Sequence, residues 1–151
     1  MTTPSASQPS NQPSPHLAAT GAPQASQVTR VLDEDHGRLQ ELTAMLASVQ
    51  DRDALTDALE DLAHTLRDHF AHEEHAKGFY GILTARGPEH QAEIARLVSE
   101  HRELLRDLQH LVSQAQERPA PTQALGREAA DLTARLHDHE QREMKLVQAL
   151  A

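Results

Sequence analysis

Histidine is the residue type that stands out: the 151-residue chain carries 11 of them, and four fall into a pattern with two glutamates. His69 and Glu73 lie four apart, and so do His139 and Glu143. Residues at i and i+4 share one face of an α-helix, so each pair points an imidazole and a carboxylate the same way. His36 sits between Leu32 and Leu39, and His101 between Leu97 and Leu104, so both interrupt rows of leucine. Six such groups at apolar positions need partners, because a buried unpaired carboxylate or imidazolium is costly. They could neutralise one another as His–Glu ion pairs. A pair of divalent or trivalent cations satisfies all six more completely. Neutral imidazoles and carboxylates suit iron, with manganese or zinc as alternatives, and two carboxylates free to bridge favour a dinuclear over a mononuclear site.

The elements that must position these groups are helices. Apolar residues recur at helical spacing from about Gln27 to the end, and no segment alternates like a strand. The first helix is expected over about 27–50, with Val28, Leu32, Leu39, Leu42, Leu46 and Val49 on one face. The second starts near Asp53, carries Leu55, Leu59, Leu62 and Leu66, and reaches at least Lys77. Gly78 and Gly81 leave its last turns open. Its face continues through His69, Glu73, Ala76 and Tyr80. Arg86-Gly87-Pro88 is a break, with Gly as a stop and Pro as a first-turn residue. A third helix follows over about 88–117, and a fourth over about 122–150 after Pro119 and Pro121. Short connections between four long helices imply an all-α, up-down-up-down four-helix bundle. In that topology His36, His69, His101 and His139 all fall about 21 to 26 Å from one common end, at 1.5 Å of rise per residue. The imidazoles and carboxylates are therefore expected to converge in one layer.

Composition excludes several function classes. There is no cysteine, which removes a disulfide framework, a thiol nucleophile and a thiolate metal site. The formal net charge is −9, against the basic surface that nucleic acid or an anionic membrane requires. No apolar run approaches the roughly 20 residues that span a bilayer. The N-terminus lacks the basic and apolar regions of a secretory signal, so a soluble, cytoplasmic protein is expected. Residues 1–26 hold five of the eight prolines among Ser, Thr, Gln, Ala and Asn. They are expected to form a disordered tail, with 27–151 as the folded domain.

The ordered set Asp35-His36, His69-Phe70-Ala71-His72-Glu73-Glu74, Glu100-His101 and His139-Glu140-Gln141-Arg142-Glu143 resembles the hemerythrin-like, or HHE cation-binding, domains. The resemblance covers essentially all of 27–150. It implies a four-helix bundle around a non-haem diiron centre with an oxo or hydroxo bridge. His36 and His69 would ligate one iron, His101 and His139 the other, and Glu73 and Glu143 would bridge them. Members of the family bind O₂, sense oxygen, iron or redox state, or act on peroxide or nitric oxide. Oxygen-carrying hemerythrins are similar but have His-x-x-x-His on the third helix, where this chain has Leu97, and His-x-x-x-x-Asp on the fourth, where it has His-x-x-x-Glu. One metal thus has a position open to water, a substrate or a nearby side chain, as redox or Lewis-acid chemistry needs. A ferritin-like diiron site fits less well. It uses Glu-x-x-His pairs, and no Glu here is followed three residues later by His.

Three function classes remain: a module that binds or senses O₂ or a reactive oxygen or nitrogen species, a diiron enzyme consuming peroxide or nitric oxide, and a metal-free interaction bundle. Among the other residues, His72 is a candidate to hydrogen-bond a ligand carboxylate. His90 lies about 16 Å along the axis from His101, too far to join the same site. His64, His75, His110 and His137 are expected in solvent. Phe70, Phe79 and Tyr80 are all expected on the second helix. Tyr80 either packs in the core or serves as a phenol beside the metal. The acidic run Asp33 to Asp35 reads as surface charge at a helix start.

Overall fold

The computed structural model describes residues 25–117 and 122–150. Four long helices form the bundle: α1 (Ala25–Ser48), α2 (Arg52–Glu74), α4 (Gln91–Gln116) and α5 (Thr122–Val147), with a short α3 (Phe79–Arg86) between the second and third rods. The rods pack in the order α1, α2, α4, α5 around the axis, and α5 closes back on α1. One-turn 3₁₀ segments precede α4 at Pro88–His90 and follow α5 at Gln148–Leu150. No described helix is long and apolar enough to cross a membrane.

Local chemistry sets the boundaries. The Asp51 side chain accepts from the Ala54 amide at 3.0 Å and caps α2, which satisfies an amide that the first turn leaves without a partner. Arg52 then donates to the carbonyls of Ala115 and Gln114 at 3.2 and 3.3 Å, so the start of α2 caps the end of α4. The proposed tail over 1–26 lies outside the described residues up to position 24. Ala25 and Ser26 already belong to α1. The loop at Pro119 and Pro121 also lies outside them.

The second helix is where expectation and structure differ. It stops at Glu74 rather than passing Lys77, and a turn leads into the separate helix α3. Ala76 is exposed in that turn, not on the buried face, while Phe79 and Tyr80 belong to α3. Two glycines explain the break. A Cβ on Gly78 would lie 2.0 Å from the His72 carbonyl oxygen, and one on Gly81 would lie 2.0 Å from that of Ala76. No other residue type permits so close a backbone approach.

The apolar core is split in two. One cluster runs from Leu39, Leu42 and Leu46 through Leu55–Leu66 and Leu104–Ala115 to Leu125–Leu136, with Phe70 at its upper edge. The other, at the α3 end, gathers Leu32, Phe79, Tyr80, Leu83 and Leu97. Between the clusters lie His36, His69, Glu73, His101, His139, Glu140 and Glu143, all buried.

Candidate metal centre

Each rod delivers its polar group from a position on its leucine row. The result is a layer in which His36 from α1, His69 and Glu73 from α2, His101 from α4, and His139 and Glu143 from α5 meet. None is more than 5% exposed. They form two overlapping groups of ligand-type atoms: His36, His69, Glu73 and Glu143 on one side, and His101, His139, Glu73 and Glu143 on the other. Both carboxylates belong to both groups, and each divides its oxygens between them. Glu143 Oε2 stands 3.1 Å from His36 Nε2, while its Oε1 stands 3.0 Å from His139 Nε2. Glu73 Oε1 stands 2.9 Å from His69 Nε2, while its Oε2 stands 3.3 Å from His101 Nε2.

Outer carboxylates fix which ring nitrogen faces inward. Asp35 lies 3.2 Å from Nδ1 of His69, Glu74 lies 2.6 Å from Nδ1 of His101, and Glu100 lies 2.9 Å from Nδ1 of His139. In each case the acid is on the preceding rod of the ring. An Nδ1–H that donates outward leaves the Nε2 lone pair pointing inward, the arrangement that orients metal-binding imidazoles. Glu100 is itself held by Arg142, whose Nη1 donates to Oε1 at 2.8 Å and whose Nη2 bonds Oε2. The fourth rod, α5, also carries a buried acid. Glu140 is 4% exposed, and burial raises its carboxyl above the ordinary range even though the neighbouring His36 and His69 pull it down.

The electrostatics of the protein alone show how strongly these groups interact. Burial disfavours the charged imidazoles, yet Glu143 and Glu73 push His36 up to about 10. Glu143, Glu73 and Glu74 push His101 up to about 9 against the same opposition. Glu73 and Glu143 are lowered: burial works against their ionisation but is outweighed by the surrounding histidines. Ion pairing does not satisfy the layer, however. Among the described residues, His69 Nε2 and both oxygens of Glu73 have no hydrogen-bond partner, despite the short His69–Glu73 approach. His101 Nε2 and His139 Nε2 face each other at 3.0 Å, although both rings have their Nδ1 turned to a carboxylate. Lone pairs that converge with orphaned carboxylate oxygens call for cations between them. The donor set of imidazoles and carboxylates fits two such ions.

Of the residues singled out in the sequence, all six are brought together. His90, 18% exposed on its side chain, lies beside Glu89 and not in the layer. His64, His75, His110 and His137 are exposed. His72 is a correction: its side chain is 70% exposed and 3.9 Å from Asp35, so it bonds no carboxylate of the layer. That position beside the histidines is filled by Asp35, Glu74 and Glu100. Asp35 is thus more than surface charge at a helix start. Sequence reasoning also missed Glu140, although it continues the row Leu132, Leu136 at i+4 spacing.

Tyr80 enters from α3. Its hydroxyl lies 3.0 Å from His101 Nε2 and donates to Glu143 Oε1. Two aromatic rings pack near the His101 ring: Phe70 stacks on it at 3.7 Å between centroids, and Tyr80 lies at 5.5 Å with a 19° tilt.

Comparison with known proteins agrees with this geometry. Residues 27–151 match the model of the hemerythrin HHE cation binding domain. Neither the curated proteins nor the solved structures yield a match. The matched segment holds the whole buried layer, and the chain belongs to the hemerythrin HHE cation-binding domain family.

Proposed function

We propose that the chain is a non-haem diiron protein that binds or senses O₂ or a reactive oxygen or nitrogen species. One observation carries the reading: two buried His/Glu groups share both of their carboxylates, which is the arrangement for bridging two cations rather than enclosing one. His36 and His69 would hold one ion, His101 and His139 the other, with Glu73 and Glu143 between them. Iron suits a mixed imidazole and carboxylate donor set without thiolate. Such ions supply a redox couple and Lewis acidity. The protein contributes fixed imidazoles, a dry surround and controlled access.

Access is provided by a largely apolar cavity of about 470 Å³ between α1 and the α2–α3 turn. Val28, Val31, Leu32 and Phe79 line it, with Asp35, Glu73 and Lys77 also in its wall. A small uncharged molecule such as O₂, nitric oxide or hydrogen peroxide fits that route. The same route favours a second reading, an enzyme that consumes peroxide or nitric oxide.

The test is elemental analysis and an absorption spectrum of protein made in iron-rich medium. Two irons per chain with bridged-diiron absorption are expected, and an O₂- or nitric-oxide-dependent spectral change without turnover marks a binding or sensing module. Sustained peroxide loss that disappears in Glu73→Ala selects the enzyme. Negligible metal together with unchanged melting in chelator overturns both in favour of an interaction bundle.

A further inference from the structure

We infer that Tyr80 is a metal ligand in its own right, its phenolate oxygen completing the His101/His139 side of the centre where Leu97 supplies nothing. The inference rests on the dinuclear reading above and adds a residue to it.

Three observations lead to it. The first is position. The hydroxyl contacts two atoms of one cation group, His101 Nε2 at 3.0 Å and Glu143 Oε1. Within that group His101 Nε2 to His139 Nε2 is 3.0 Å, and His139 Nε2 to Glu143 Oε1 is 3.0 Å. Donor atoms about 2.1 Å from one ion and at right angles to one another are about 3 Å apart. The phenol oxygen lies at that spacing from His101 Nε2 and against Glu143 Oε1, at the edge of the same set.

The second is chemistry. Glu74 takes the Nδ1 side of His101 at 2.6 Å. Once Nε2 is committed to a cation, it has neither a proton to give the phenol nor a free lone pair to accept from it. A hydroxyl held 3.0 Å away then has no hydrogen bond to make with that nitrogen, only the one to Glu143 Oε1, and a shared cation accounts for the approach of the two donor atoms. A bound cation favours the deprotonated form of a group that coordinates it. On coordination the O–H bond breaks heterolytically, the proton leaves to solvent, and an oxygen lone pair forms the bond to the metal.

The third is construction. Leu97 is fully buried one turn before His101, and it packs in the same cluster as Tyr80, Phe79 and Leu83. An apolar side chain at position 97 provides the bed on which α3 lies, and α3 carries the phenol in. Gly78 and Gly81 make the turn that allows it. The loss of a donor at one position and the supply of another are thus parts of one packing arrangement.

Tyr80 is the sole tyrosine of the chain, so tyrosinate signals have one source. The experiment uses full-length protein reconstituted with ferrous iron, oxidised and counted for iron by elemental analysis. A phenolate-to-iron(III) charge-transfer band in the visible, with tyrosinate ring modes in the resonance Raman spectrum excited within it, is expected. Both should vanish in Tyr80→Phe, which keeps the ring and its packing. Protein with both irons bound and no tyrosinate modes overturns the inference and leaves the diiron reading standing. Modes that survive Tyr80→Phe overturn it as well. Protein that takes up no iron overturns the diiron reading, and the inference with it. If Tyr80→Phe does not fold, the wild-type Raman spectrum decides alone.

Discussion

Three of the four inward-facing imidazoles take their outer carboxylate from the helix before them in the ring: Asp35 on α1 serves His69, Glu74 on α2 serves His101, and Glu100 on α4 serves His139. Each of these acids is a sequence neighbour of an inward-facing residue on its own helix, yet bonds the histidine of the next helix instead. Sequence adjacency therefore marks the acids without revealing their partners, which depend on how the rods are rotated. The six inner groups were legible because each breaks a row of leucines. The outer ones were not, because half-exposed acids are common on any helix. The same residues imply a pH response. In chelated protein, His36 and His101 are raised to about 10 and about 9 from 6.5. A raised histidine stabilises fully below 6.5, and that contribution is lost as pH rises toward the folded value. Glu73 and Glu143 are lowered from 4.5, so they stabilise above that value and lose the effect as pH falls. Chelated protein should therefore have its highest Tm between about pH 4.5 and 6.5. A bound cation requires the imidazoles deprotonated, so the loaded protein should be most stable at higher pH. Thermal melts across pH with and without chelator check this, and coincident optima would count against it.

At the scale of elements, the four rods could be read because leucine recurs at i+3, i+4 and i+7 over more than 20 residues. Helix α3 could not. At eight residues it is too short to show a period. Tyr80 also falls on the register that an unbroken second helix would give, so continuation and interruption look alike in the sequence. Only Gly78 and Gly81 signalled a break, and what they signalled was not a frayed end but a tight turn into a new element. Gly78→Ala places a methyl group against the His72 carbonyl. It is expected to lower stability by about 1–3 kcal/mol and, by displacing α3, to weaken the phenolate-to-iron band proposed above. Chemical denaturation and the visible spectrum of the variant measure the two effects, and wild-type values in both would show that the turn adjusts freely.

For the whole molecule, the buried polar layer separates a long leucine cluster at the α1–α2 end from a smaller one beneath α3. The larger cluster has Leu39, Leu59, Leu62, Leu66 and Leu108 fully buried and does not include the metal-type side chains. The smaller one is bounded below by groups that repel or stand orphaned without a cation. Ligands that cluster only in the folded state make metal binding stabilise the fold. The effect should be uneven along the bundle. Hydrogen–deuterium exchange of loaded and chelated protein should show amide protection falling first and furthest in α3 and the adjoining ends of α1, α4 and α5, while protection around Leu59 and Leu108 changes little. Uniform loss over the chain would contradict that asymmetry.

The divided interior has one more consequence. Three rods, α1, α4 and α5, run unbroken through both halves, while α2 ends at the waist and passes by a tight turn into α3, so what happens at the waist is transmitted to the upper storey by those rods and that turn. Gain or loss of an ion would tighten or loosen the short helix that roofs the bundle beside the apolar opening. The fold thereby couples the occupancy of its centre to the stiffness of an outer surface.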